Sequence, residues 1–151
     1  MSRLQFSLNL TAPTEQLIKL ATDYEKLPRF LSDQLKQVRI IKKENNETTT
    51  EETIVFSSIV KNQIIQTSVH KQIADNIVLS EIISGPAKGT TLKTVFEKID
   101  SGTKVNVEIN LKLSLKAKFL SPLIKKLYKT ILLGILYKMN GMALEMTSNR
   151  S

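Results

Sequence analysis

The sequence predicts an α+β fold: a curved seven-stranded antiparallel sheet, two short helices near the N-terminus, and one long C-terminal helix that closes a cavity against the sheet. Three observations carry this. Val105, Val107, Ile109, Leu111, Leu113 and Leu115 alternate without a break with more polar neighbours, the period-two mark of a strand with one buried face. That strand leads into a stretch whose apolar residues recur every three or four positions as far as Met146, which is one long helix with a wide apolar stripe. Before it, the chain reads as a short helical pair followed by β-rich runs separated by turn residues.

The elements follow in order. Leu4, Phe6, Leu8 and Leu10 alternate with Gln5, Ser7 and Asn9, a half-buried first strand. Ala12 and Pro13 break it, and Thr14 can cap a helix that carries Leu17, Ile18 and Ala21 at helical spacing. Residues 23–31 form a second short helix, with Pro28 near enough to its start to be tolerated. Six strands are then expected at 37–43, 48–60, 63–73, 77–84, 90–99 and 103–116. The turns between them are rich in Asn, Asp and Gly, and Lys61-Asn62 suits a tight hairpin. Ser121-Pro122 reads as an N-cap with proline at the first helical position. The helix that follows holds Gly134 and Gly141, seven apart. Each costs roughly 1 kcal/mol of helix stability, so they are candidates for close approach to the sheet or for space beside a ligand.

The bulk numbers narrow the function. With 151 residues, the chain suits one domain over 1–147 with a disordered tail at 148–151. It has no cysteine and one histidine, which removes disulfides, thiolate metal sites and cysteine nucleophiles and leaves no zinc-ligand set. No metal and no cofactor are expected. The N-terminus lacks the apolar core of a secretory signal, and no uncharged apolar run reaches the ~18 residues of a membrane span, so a cytoplasmic protein is expected. Gly85-Pro86-Ala87-Lys88-Gly89 lacks the spacing of a phosphate-binding loop.

The net charge is +8. Lys116, Lys118, Lys125, Lys126 and Lys129 flank the junction of the last strand and the long helix. Such a segment suits either a solvated face or peripheral contact with an anionic membrane. Aromatic residues make up only 5% of the chain and there is no tryptophan, so stacking platforms for nucleic acid are lacking and no nucleic-acid partner is expected.

Two stretches add a resemblance. Asp23-Tyr24-Glu25-Lys26-Leu27-Pro28-Arg29-Phe30-Leu31, followed by Val38-Arg39-Ile40-Ile41, is similar to the Asp…Pro-x-Phe/Trp…Val pattern of polyketide-cyclase-like and coenzyme-Q-binding START-like proteins. Gly85-Pro86-x-x-Gly89-Thr90 resembles the loop before their sixth strand. With the element order, this resembles the helix-grip fold of the START-like (SRPBCC) superfamily. The resemblance implies a cavity between sheet and long helix that binds a lipid, quinone, isoprenoid or polyketide-like molecule. No catalytic residue of the family can be carried over, because no catalytic motif matches.

Candidate lining residues follow from strand and helix phase: Leu8, Phe30, Phe56, Leu79, Phe96, Val107, Ile109, Leu111, Leu127, Ile131 and Ile135. Tyr24 and Tyr128 can add hydroxyls, and Glu81 lies on the apolar face of its strand with Ile77, Leu79 and Ile83: it either points inward, where desolvation would raise its pKa, or is turned outward by a small register shift or bulge. His70 shares a face with Gln66, Ser68 and Gln72, which predicts the outer, wet side of the sheet and no catalytic role. Three functions are compatible with this pattern: binding of a lipophilic molecule, a cyclase or hydratase using inward polar groups, and an interaction module whose cavity is filled by its own side chains.

Overall fold

The structure is a computed structural model, and it describes residues 2–55 and 63–148. Its strands are β1 (Ser2–Leu10), β2 (Leu35–Glu44), β3 (Glu47–Val55), β4 (Gln63–Ala74), β5 (Ile77–Ser84), β6 (Thr91–Ile99) and β7 (Gly102–Leu111). Helix α1 (Thr14–Ala21) and a 3₁₀ helix (Tyr24–Phe30) connect β1 to β2, and α2 (Ser121–Ser148) follows β7 after a 3₁₀ turn at Lys118–Leu120. The strands form one sheet in the order β1-β7-β6-β5-β4-β3-β2, with every neighbouring pair antiparallel. Strands β2 to β7 therefore form a meander. Only β1 leaves its sequence neighbour, crossing to pair with β7 so that Leu4 faces Ile109, Phe6 faces Val107 and Leu8 faces Val105. The two short helices span from one edge strand to the other.

The first strand, the short helical pair and the long helix lie where the sequence places them. Thr14 is the first helical residue of α1, not its cap; Pro13 holds the cap position in extended backbone, and Thr14 Oγ1 pairs with Thr103 Oγ1 at 2.8 Å. Ser121 likewise has helical backbone, continuing from the 3₁₀ turn before it.

Strand β7 stops five residues short of the expected 116. The reason is the β5–β6 loop. Lys112 N donates to Thr90 Oγ1 at 3.0 Å, Thr90 Oγ1 donates to the Lys112 carbonyl, and Ser114 N donates to the Pro86 carbonyl. A side chain and a loop thus take the backbone groups that a strand partner would need. Leu113 stays buried, while Leu115 is left 84% exposed.

One side of the sheet carries the core. Leu8, Leu10, Phe96, Val105, Val107, Ile109 and Leu111 meet Leu17 and Leu20 of α1, Phe30 of the 3₁₀ helix, and Ile135, Leu136, Met139 and Ala143 of α2. Full burial of each large apolar side chain stabilises the fold by roughly 1.5–3 kcal/mol. Asn140 fixes α2 at the β1 end: its Oδ1 accepts from Ala12 N at 2.9 Å. In the β6–β7 turn Gly102 has φ 142, and a Cβ there would run into the Leu10 carbonyl oxygen. Of the two helix glycines, Gly134 sits against the Leu31 side chain and Gly141 faces open space. Neither lines the cavity described next.

Candidate ligand cavity

A cavity of about 200 Å³ lies between the sheet and α2. It exceeds the ~150 Å³ apolar cavity known to admit benzene and is smaller than pockets for drug-sized ligands, which start near ~300 Å³. One wall is apolar: Leu92 and Phe96 of β6, Val107 and Ile109 of β7, and Ile131, Leu132, Ile135, Leu136 and Met139 of α2. The rest of the lining is mixed. Its polar wall, set among Ala21, Leu27, Leu35, Ile54, Val78 and Ile82, includes Gln34 before β2, Glu52 of β3, Gln66, Ser68 and His70 of β4, Ser80 of β5, and Tyr24 and Tyr128 from the helices.

Seven of the residues expected to line a cavity do so: Tyr24, Phe96, Val107, Ile109, Tyr128, Ile131 and Ile135. Leu8, Phe30 and Leu111 are buried in the surrounding core, and Leu127 packs against it half-buried; none of the four reaches the cavity. Phe56, with the Lys61-Asn62 hairpin, lies outside the described residues.

Two strands are turned relative to expectation. In β5 the inward residues are Val78, Ser80 and Ile82, so Leu79 and Glu81 are on the outer face and Glu81 is exposed. The mostly apolar odd-numbered set misled, because the outer face of β5 is itself aliphatic, with Ile83 40% exposed. In β4 the face shared by Gln66, Ser68 and His70 points inward and is buried, while Ile65 and Ile73 are exposed. The alternation is as read, but polarity here marks the cavity side. His70 is therefore inside, not on a wet outer surface.

Two hydrogen-bonded groups make up the polar wall. In the first, Ser68 Oγ and Gln66 Nε2 both donate to Glu52 Oε1, the latter at 2.9 Å. Burial raises the Glu52 pKa, partly opposed by these two donors. Burial also raises the pKa of the nearby Tyr128 hydroxyl, and the Glu52 charge adds to that rise. In the second, His70 Nε2 pairs with Thr50 Oγ1 at 2.9 Å and Nδ1 with Ser80 Oγ at 2.6 Å. Burial pushes the His70 pKa down to about 4 and that of Tyr24 up to about 12. Both effects favour neutral forms, as expected where few charges can be hydrated.

Sequence reasoning missed Gln34, Glu52, Gln66, Ser68, His70 and Ser80. In β3 the inward set Thr48, Thr50, Glu52 and Ile54 is hardly more apolar than the outward Thr49, Glu51, Thr53 and Val55, so the pattern carries no direction. The register could have supplied one, since Glu52 stands opposite Gln66 and Thr50 opposite Ser68.

No protein-family model matches the sequence, and no curated protein matches it. Solved structures do match in shape. A START superfamily protein from Mycobacterium smegmatis superposes with a TM-score of 0.77 over 95% of this chain and 98% of that one, at 13% identity. This chain has the START-like helix-grip fold. The same fold is seen in the Zhui aromatase/cyclase from a Streptomyces species, with a TM-score of 0.83, 8% identity and coverage of 97% and 95%. A Thermus thermophilus protein matches with a TM-score of 0.81 at 18% identity, covering 96% of this chain and 99% of its own. In this START-like fold the described helices include none long and apolar enough to cross a membrane.

Proposed function

We propose that this protein binds a lipophilic small molecule, such as a lipid, quinone, isoprenoid or polyketide-like compound, and carries it through the cytoplasm. The observation that carries this reading is the cavity of about 200 Å³ with a mainly apolar lining. A ligand leaving water for that lining gains about 25 cal/mol per Å² of apolar area buried, and the polar wall sets its orientation. Native mass spectrometry of the purified protein, followed by organic extraction, tests it. A small-molecule adduct that extraction removes is the expected result. Absence of an adduct, together with no uptake of a lipophilic probe, refutes it.

Loading and release at an anionic membrane belong to the same reading. Leu115 and Phe119, 84% and 78% exposed, stand in the connection before α2, with Lys116 and Lys118 beside them and Lys125, Lys126 and Lys129 on the helix that follows. Exposed apolar side chains with lysines close by in sequence suit an anionic lipid surface.

A cyclase or hydratase acting on a hydrophobic substrate is the second reading. It is favoured by Glu52, His70 and Tyr128 lining one cavity and by the aromatase/cyclases among proteins of this fold. Conversion of a reactive polyketone, lost in Glu52→Gln with binding retained, would put it first.

A further inference from the structure

The polar wall has a definite charge character. Among the described residues, the cavity lining holds one carboxyl group, one imidazole and no lysine or arginine. The imidazole supplies no positive charge near neutral pH, since its pKa lies near 4. A ligand with a carboxylate or phosphate head would therefore bring a charge into a low-dielectric space with no counter-charge and with Glu52 in the same wall. Unpaired buried charge is strongly disfavoured.

The wall does offer neutral hydrogen bonds. Gln34 Oε1 is buried without a partner among the described residues, and a buried acceptor of this kind is stabilised by any donor that reaches it. The Gln34 backbone carbonyl accepts from Val55 N at 2.7 Å, which holds Gln34 beside the strand that carries Glu52. The Glu52 carboxyl already receives two donors on Oε1. In its neutral form it can give its own proton to an acceptor. A hydroxyl both donates and accepts, so it matches either group.

Resting on the lipophile-binding reading above, we infer that the cavity selects neutral, hydroxyl-headed lipophiles over their carboxylate counterparts, with the head seated against Glu52 and Gln34. The test is displacement of Nile red from the full chain by decanol, decanoate and decane at about pH 8, where decanoate is ionised. Decanol is expected to displace the probe at least about tenfold more effectively than decanoate. Glu52→Gln should shrink that ratio several-fold, because its amide carries no charge at any pH and can donate to a carboxylate. Gln34→Leu should weaken decanol several-fold and leave decane unchanged; Gln34→Met replaces it if the leucine variant does not fold. Equal displacement by decanoate and decanol overturns the inference, as does a ratio that neither Glu52→Gln nor the Gln34 variant alters. In both cases the lipophile-binding reading survives. If Nile red does not bind, or none of the three displaces it, both fall.

Discussion

Tyr24 lies face to face on His70, their ring centroids 4.3 Å apart and their planes 15° from parallel. The stack joins the 3₁₀ helix, which crosses the end of the sheet, to the middle of β4. It covers an imidazole whose two nitrogens are already paired with Thr50 and Ser80. This is the environment of a neutral ring: buried, flat against an aromatic, and without a carboxylate partner.

Acid should therefore destabilise the fold through His70. The unfolded ring titrates near 6.5 and the folded one near 4. Between those values the unfolded chain binds a proton that the folded chain does not. The stability linked to the neutral ring is complete above pH 6.5 and is lost as pH falls towards 4, amounting to about 3 kcal/mol at most. Denaturant midpoints measured across this window should fall less steeply in His70→Gln, which keeps hydrogen-bonding capacity and has no titrating group. An unchanged slope would show that His70 is hydrated in the folded state.

Glu52 should act in the opposite sense. Its pKa is raised above the ordinary 4.5, so the folded chain holds its proton to higher pH than the unfolded chain does. The stability linked to neutral Glu52 is present below 4.5 and is lost as pH rises through the folded value. Glu52→Gln can still accept from Ser68 and Gln66, and should be as stable as the parent in acid and more stable at alkaline pH. Glu52→Leu leaves both donors unpaired and should be about 1–3 kcal/mol less stable than Glu52→Gln at any pH. Urea unfolding of the three proteins at two pH values reads this directly.

How much of this was legible beforehand depended on contrast between faces. Strand β7 alternates aliphatic with polar residues along its whole length, so Val107 and Ile109 were assigned inward by phase alone. The stripe on α2 likewise identified Ile131 and Ile135. In β3, β4 and β5 the cavity replaces a dry core on one side, and inward positions are free to be polar. Gln66, Ser68 and His70 face in, while Ile65 and Ile73 face out, so the usual rule of apolar inside gives the wrong side. The end of β7 was also invisible, because the competing partners, Thr90 and Pro86, come from a loop more than twenty residues earlier.

The cavity itself can be filled by substitution. Ile131 and Ile109 line it from helix and sheet. A tryptophan at either position adds bulk comparable to a small ligand, and the space is only about 200 Å³. Ile131→Trp, on the partly buried helix face, should fold with a stability loss of about 1–3 kcal/mol from overpacking and lose Nile red binding at least about tenfold. Ile109→Trp, in the denser sheet, should lose binding equally and more stability. Undiminished probe affinity in both folded variants would mean that the probe sits elsewhere.

The last prediction concerns the β7–α2 connection. Once Thr90 and Pro86 end the strand, the chain leaves the sheet and exposes Leu115 and Phe119. The nearby lysines differ in setting. Lys116, Lys118, Lys126 and Lys129 are exposed and Lys125 is half-buried; Lys129 Nζ also lies 5.9 Å from the centre of the Phe6 ring, an attraction to β1 that competes with an outside anion. Lysines at an anionic surface contribute about 1 kcal/mol each, weakened by salt, and the two apolar side chains add burial that salt does not screen. Cosedimentation should therefore show binding to anionic vesicles and little to neutral ones. Charge reversal at Lys116, Lys118 and Lys126 should remove the salt-sensitive part, with Lys129→Glu having a smaller effect. Leu115→Ser with Phe119→Ser should weaken binding at low and high salt alike. Equal binding to neutral and anionic vesicles, or no response to either set of substitutions, would mark this segment as an ordinary solvated surface.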